Sequence, residues 1–342
     1  MFLPQFWLQC FLIVGICFYL LACGQDDRLL IKIGVNVPKT TAPTYTLMRQ
    51  AMIDQANTYN AEEHLDRIEI VWNGVQDGEV GKNPAAMERQ QVTTMINQGV
   101  QVLILSTVDF RSAYAILREA KSPDRPRPIP VITLDTMLGS SQIRGHLAIN
   151  EIRLGEIAAK YAVEQVEGHG NILVLEGPLG SPSFRQLTIG IYRILDRYQT
   201  IRVLSKSSLA NTNEGRRLTS QIIRAYAQNV QAVICVNSDL AVGAVESVDL
   251  YGMTEQIVTV GIGASRVATA LIISGQHDAE VDLQPYERGK MALKLALDAY
   301  YDKLTTTDQN QTQFGPSRVI TVANYTDLEK MWPNLIREQQ NR

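Results

Sequence analysis

From residue 30 onward, short runs of near-continuous apolar residues alternate with amphipathic helical periods, and this alternation restricts the fold more than any other feature. The strand candidates are LIKIGVNV (30–37), RIEIVWN (67–73), VQVLILS (100–106) and PVITLD (130–135), then NILVLEG (171–177), IRVLS (201–205), VQAVICVN (230–237), IVTVGIG (257–263) and AEVDL (279–283). Most are apolar at consecutive positions, the pattern of parallel strands covered on both faces. Between them, Met48, Met52, Ala56 and Tyr59 follow helical spacing over 45–60. Phe184, Leu187, Ile191, Ile194, Leu195 and Tyr198 do so over 183–198. Asn83-Pro84 supplies a helix start, a side-chain cap followed by a residue with no amide proton to satisfy. The order predicts an α/β protein with parallel sheets. The strands are too many for one comfortable sheet, so two Rossmann-like lobes are expected. No Pro/Gly/Ser-rich linker divides the chain, which predicts lobes joined by several crossings.

A chain of 342 residues at 45% hydrophobic composition can bury a large core. Its net charge of −3, with no Lys/Arg-rich run, argues against a nucleic-acid partner. Residues 6–22, FWLQCFLIVGICFYLLA, form an apolar run suited to a signal-peptide core, followed by the polar switch CGQDD. Leu20-Leu21-Ala22-Cys23-Gly24 is similar to a bacterial lipobox, which makes Cys23 the lipidation candidate and 1–23 a lipoprotein signal peptide. Residues 1–10 hold no Lys or Arg, and Leu21 is large for its place, so an uncleaved anchor helix is the alternative. Either way the body is expected outside the cytoplasmic membrane, tied to it. Of the four cysteines only Cys235 lies in the body, which excludes an intrachain disulfide there and a cysteine zinc cluster. Within AVICV it reads as a small core residue.

Ligands of parallel α/β sheets bind outside the carboxyl ends of the strands. The residues at those ends are Asn36, Asp109, Asp135, Asn237, Gly263 and Asp282. Forked Asp, Asn and Arg ends suit adjacent hydroxyls or a carboxylate. Taken singly, the same residues are the ordinary caps of the helices that follow strands. Catalytic signatures are missing: no phosphate loop ending in GK[ST], no G-x-S-x-G elbow, no H-E-x-x-H, and Arg266 where a dinucleotide loop needs glycine. His64, His146, His169 and His277 are isolated and read as surface residues. Glu176 ends the strand ILVLE with no evident partner. No enzymatic activity, metal or cofactor is expected.

The stretches VITLDTMLGSSQIRGHLAINEIRLGEIAAKYAVEQV (131–166), LEGPLGSPSFRQLTIGIY (175–192), VQAVICVNSDLAVGAVESVDLYG (230–252) and VTVGIG (258–263) resemble the type I periplasmic sugar-binding proteins, over roughly residues 30–325. The ribose- and galactose-binding members are nearest in pattern. The resemblance implies two α/β lobes joined by a three-stranded hinge, with ligand closed between them. It implies lobe 1 from 29–149 and 283–312, lobe 2 from 150–282 and 313–325 with a final strand near 318–325, and a C-terminal tail over 326–342. It implies that Asp135 accepts hydroxyls, that Arg185 and Asn237 bind ligand, and that Tyr45 covers the C–H faces of a sugar. Asn36, Thr136, Gly263 and Asp282 complete the expected ligand-binding set. The chain departs from ribose-type members at Thr136 (arginine there), Gly263 (aspartate), Leu283 (hinge glutamine) and Thr44 (a ring). Fewer charged forks imply a roomier or differently polar site, for another sugar, a polyol or a furanose-like signal; Arg185 equally suits an anion. Asp282 or Gln284 would compensate at the hinge.

The function expected is that of an extracytoplasmic solute-binding lipoprotein, which captures a small polar ligand, a sugar above all, and presents it to an ABC permease. The alternative is a ligand-sensing receptor subunit for a sensor kinase or chemoreceptor. A transcription regulator with the same core needs a helix-turn-helix head within residues 1–60, where the hydrophobic run stands instead. A hydrolase or transferase has no nucleophile or metal cluster behind it.

Overall fold

The computed structural model describes residues 28–62, 66–74, 83–226, 229–304 and 312–340; the signal run and Cys23 lie outside them. Two six-stranded sheets hold the chain together. The first has the order β11-β5-β4-β3-β1-β2: β1 (Leu29–Val37), β2 (Asp66–Gly74), β3 (Val102–Leu105), β4 (Val131–Leu134), β5 (Ile143–Ala148) and β11 (Thr312–Phe314). All its pairings are parallel. The second has the order β12-β10-β9-β8-β6-β7: β6 (Gly170–Glu176), β7 (Ile201–Ser207), β8 (Ala232–Cys235), β9 (Val258–Ile262), β10 (Ala279–Asp282) and β12 (Arg318–Ile320). There only β12 runs antiparallel, against β10.

The apolar runs fold as strands because helices cover both sheet faces. In β3, Val102 and Ile104 join the core under α1 (Pro43–Ala61) and α9 (Pro285–Tyr300). Leu103 and Leu105 point the other way, into the core with α2 (Pro84–Asn97) and α3 (Phe110–Ala120). The N-terminus of α2 is set as expected, since the Asn83 side chain accepts from the amides of Ala85 and Ala86 with Pro84 next in line. The second sheet is enclosed by α4 (Glu151–Gln165), α5 (Pro182–Leu195), α6 (Thr212–Ala225) and α7 (Ser238–Leu250). Cys235 is fully buried in that core. A smaller cluster of Ala264, Ile272, Ile320, Leu328 and Ile336 packs α8 (Arg266–Ile273) and α10 (Pro333–Gln340) at its edge. Strand β5 is not legible in the sequence, because Arg144, Gly145 and His146 interrupt its apolar run.

The chain passes between sheets three times: from β5 to α4 over residues 149–150, from β10 to α9 over 283–284, and from β11 to β12 over 315–317. Each passage leaves the carboxyl end of a strand. The third passage fixes how the sheets face. β11 is parallel to its sheet and β12 starts with Arg318 opposite Asp282, the last residue of β10. Three residues therefore link the carboxyl edges of both sheets, and those edges face each other across the hinge.

Candidate functional site

Asp135 follows β4 directly and stands on the carboxyl edge of the first sheet, with φ of 61°. Left-handed backbone is uncommon outside glycine, and Asp and Asn are among the side chains that tolerate it. The turn is closed by the Asp135 amide donating to Leu147 O at 3.0 Å and the Thr136 amide to Leu134 O at 2.6 Å. This sharp turn aims the carboxylate away from the strand. Its Oδ1 accepts from Arg288 Nη2, and its Oδ2 from Tyr45 Oη at 3.0 Å and Ser106 Oγ at 3.4 Å. Ser106 Oγ is also 3.0 Å from Tyr45 Oη. Each hydroxyl has one proton, so with Tyr45 donating to Oδ2, Ser106 donates either to Tyr45 Oη or to Oδ2. In both cases Oδ1, which among the described residues accepts from Arg288 alone, keeps an acceptor position for a ligand. The side chain keeps 24% of its surface exposed. Burial first, and the charge of Asp135 second, push the Tyr45 phenol far above the ordinary tyrosine range, so it remains a donor. Tyr45 thus stands beside the carboxylate as a partner of it.

Asn36 is buried at the end of β1, where its Nδ2 donates to Gln91 Oε1 at 3.0 Å. Gln91 in turn donates to Gly74 O at 3.1 Å, which ties the tips of β1 and β2 to α2. Asp109 caps α3 through Ser112 N at 2.8 Å. Nearby, burial raises the carboxyl pKa of Glu88, which accepts from Thr107 Oγ1 and from Val108 N.

On the second sheet, Asn237 caps α7 by accepting from Leu240 N at 2.9 Å, while its Nδ2 donates to Ala210 O at 2.9 Å. Arg185 is exposed in the first turn of α5. Gly263 has φ of 133°, and a Cβ there would come within 2.9 Å of Ser238 Oγ, so the turn requires glycine. Below it Glu280, fully buried, accepts from Ser238 Oγ and from Ala264 N, each at 2.8 Å. Trp332 Nε1 donates to Ala264 O at 3.0 Å from the other side. Asp282 is buried at the end of β10 and accepts from Gln284 N at 3.0 Å and Arg318 Nε at 3.2 Å. Burial raises its carboxyl pKa in spite of the Arg318 charge.

The structure thus joins Tyr45 to Asp135 on the first sheet, with Thr136 next along the turn. It sets Arg185, Asn237 and Gly263 on elements of the second, with Asn36 and Asp282 buried as braces at strand ends. Two expectations need correction. His146 and His277 are buried, each with its Nδ1 paired to a threonine of the adjacent strand, Thr133 at 2.8 Å and Thr259 at 2.7 Å. A polar ring enters a core when a neighbour satisfies it. His169 is exposed, and His64 lies outside the described residues. Glu176, too, has partners, in Tyr192 and Ser205. Among the described residues no group of His, Cys, Asp and Glu could hold a metal ion, and no helix is long and apolar enough to cross a membrane.

The α/β fold of two sheets with their helices is shared with known proteins. A family model described as periplasmic binding protein domain matches residues 33–303. The chain belongs to the type I periplasmic binding protein family. It is 27% identical to the xylitol-binding protein of Mycolicibacterium smegmatis over 241 residues, 69% of this chain and 64% of that protein, so the match leaves over a third of the relative uncovered. It is 25% identical to the ribose import binding protein of Bacillus subtilis over 223 residues, 65% of this chain and 70% of the relative. An ABC transporter solute binding protein from Bacillus halodurans, solved with myo-inositol, shares its fold with a TM-score of 0.65 at 21% identity, covering 90% of this chain and all of that one.

Sequence pattern did not point to Arg288 or Ser106, the two residues that with Tyr45 hold the carboxylate. Arg288 had a signal. It falls in register with Ala292, Leu295 and Ala299 on the buried stripe of α9, where a charge is out of place. Ser106 carried none, being a serine after a strand.

Proposed function

We propose that this periplasmic binding protein captures a small neutral polyhydroxylated ligand, a sugar or polyol, between its lobes and presents it to an ABC permease. The carrying observation is the Asp135 carboxylate, held by Arg288 and Tyr45 at the edge that faces the second sheet, with acceptor capacity on Oδ1. A fixed anionic acceptor is suited to a donor hydroxyl, and its charge-assisted hydrogen bond is stronger than a neutral one. Thr136 would stand beside the carboxylate, and Arg185, Asn237 and the Gly263 turn would supply the opposing wall. Ligand bridging both lobes favours the closed arrangement by the difference in its affinity for the two states, and the permease reads that shape. No bond in the ligand is made or broken. The xylitol and ribose names of the relatives agree in chemical class with this site.

The resemblance of Leu20-Leu21-Ala22-Cys23-Gly24 to a lipobox supports a lipoprotein held on the outer side of the membrane through Cys23. Cys23→Ser is expected to release it into the soluble fraction, and unchanged membrane retention would favour an anchor helix. The ligand is tested by thermal shift on residues 25–342 with xylitol, ribose, myo-inositol and a set of sugar acids. At about a hundredfold above Kd a ligand stabilises the fold by about 2.7 kcal/mol, and Asp135→Asn abolishes the shift. Stabilisation by acids alone would transfer the leading role to Arg185 and end the neutral-ligand reading.

A further inference from the structure

Arg288 is 1% exposed, the bulkiest of the fully buried side chains. A buried guanidinium is costly unless it is paired. Only Nη2 has a protein partner among the described residues, Asp135 Oδ1; Nε and Nη1 have none. The stem of the side chain lies against Gly315, the first residue of the third crossing. A Cβ at 315 would come within 2.6 Å of Arg288 Cγ and 2.8 Å of Cδ. Gly315 also donates its amide to Ala148 O at 3.1 Å, and the preceding carbonyl, Leu147 O, receives the Asp135 amide at 3.0 Å. The contacts close a loop: carboxylate, guanidinium, third crossing, end of β5, and back to the carboxylate. Two of the three passages between the lobes, 149–150 and 315–317, border it.

We infer that Arg288 is a positioning residue that couples the Asp135 carboxylate to the hinge. A ligand hydroxyl on Oδ1 shares that oxygen with Arg288, so ligand capture reorients the guanidinium whose stem supports the third crossing. The bend of that crossing reciprocally sets how the carboxylate is offered. This inference rests on the proposed ligand site and adds a mechanical route from it. A glycine at 315 is what lets the crossing lie close enough to feel the stem.

The reporter is hydrogen exchange at the Gly315 amide, read in ligand-free protein by NMR or by mass spectrometry of short peptides. Asp135→Asn and Arg288→Met each raise the exchange rate at Gly315 about tenfold, and the double variant exchanges no faster than either one. Arg288→Lys, which retains the charge and most of the stem, returns the rate to within about threefold of the wild type. Rates that multiply in the double variant, or an Asp135→Asn rate equal to the wild type, would overturn the coupling. If Arg288→Met does not fold, Asp135→Asn alone and in the Arg288→Lys background decides the matter, since the milder pair must still fail to multiply. Xylitol, ribose and myo-inositol are then added to the wild type. A binder that slows Gly315 exchange supports the route. If none binds while the ligand-free cycle holds, the ligand class is wrong and the coupling stands. If one binds while the rates multiply, the ligand class stands and the coupling is wrong.

Discussion

Tyr45 and Asp135 are 90 positions apart in sequence and 3.0 Å apart through the phenol proton. One sits in the first turn of α1 and the other just past β4, so they meet only because α1 packs across the first sheet. The phenol is held neutral by its burial and by the carboxylate beside it. At high pH the folded protein therefore retains a proton that the unfolded chain releases near pH 10. The folded state binds more protons there, so stability falls as pH rises above about 10. Tyr45→Phe removes the Tyr45 share of this dependence and makes the slope shallower, while Tyr59, Tyr161, Tyr192, Tyr286 and Tyr301, whose phenols are also raised, keep theirs. The same substitution costs about 1.5 kcal/mol at neutral pH, the worth of a hydrogen bond to a charged group. Urea unfolding at pH 7 and at pH 10.5 checks both, and an unchanged pH slope in the variant would contradict the assignment.

His146 sets the opposite limit. Burial lowers its pKa below the ordinary 6.5, against the pull of its Thr133 bond and Asp135, while Arg288 lowers it further. The unfolded chain therefore takes up a proton first as pH falls. Stability is intact above about pH 6.5 and declines below it. His146→Gln, which can still pair with Thr133, flattens the dependence between pH 7 and pH 5 in thermal melts. A variant as acid-sensitive as the wild type would place the decline elsewhere.

Arg318 and Asp282 brace the second and third crossings unequally. Arg318 holds Asp327 at 2.9 Å as well as Asp282, while Asp282 has Arg318 as its one cation among the described residues. Arg318→Met leaves a buried carboxylate unpaired and costs about 2–3 kcal/mol, at the low end for a buried pair because the arginine is partly exposed. Asp282→Asn keeps an acceptor for the Gln284 amide and costs about 1 kcal/mol. Denaturant midpoints that rank the two variants the other way would remove the asymmetry.

Gly263→Ala strains the turn twice, through its φ of 133° and through the contact with Ser238 Oγ. The expected cost is about 1–3 kcal/mol. Because Ser238 follows the Asn237 cap, ligand affinity drops with it. Glu280→Gln changes the buried carboxyl that takes Ser238 Oγ and Ala264 N, and loosens the same turn from beneath. Calorimetric titration of both variants is the measurement; full affinity in both would take this turn out of the site.

The class of the fold and the location of its strand ends are written in local pattern. Runs such as VLIL and AVIC are buried at every position, and only sheets covered on both faces accommodate that. Asn83-Pro84 begins a helix as its residue types predict, because capping is decided within four residues. Asp135 stands out for the same reason: a carboxylate straight after an apolar run must leave the sheet. What that carboxylate meets depends on packing. Arg288, Ser106 and Tyr45 come from α9, the end of β3 and α1, and no local pattern encodes which distant donor satisfies which acceptor. The buried histidines show the converse, since each ring is legible as polar while its threonine partner lies on the next strand. Apolar periodicity encodes the burial of a face, which is a property of one segment. Pairing of buried polar groups is a property of two, and it exists only once packing has removed the water that would otherwise serve both.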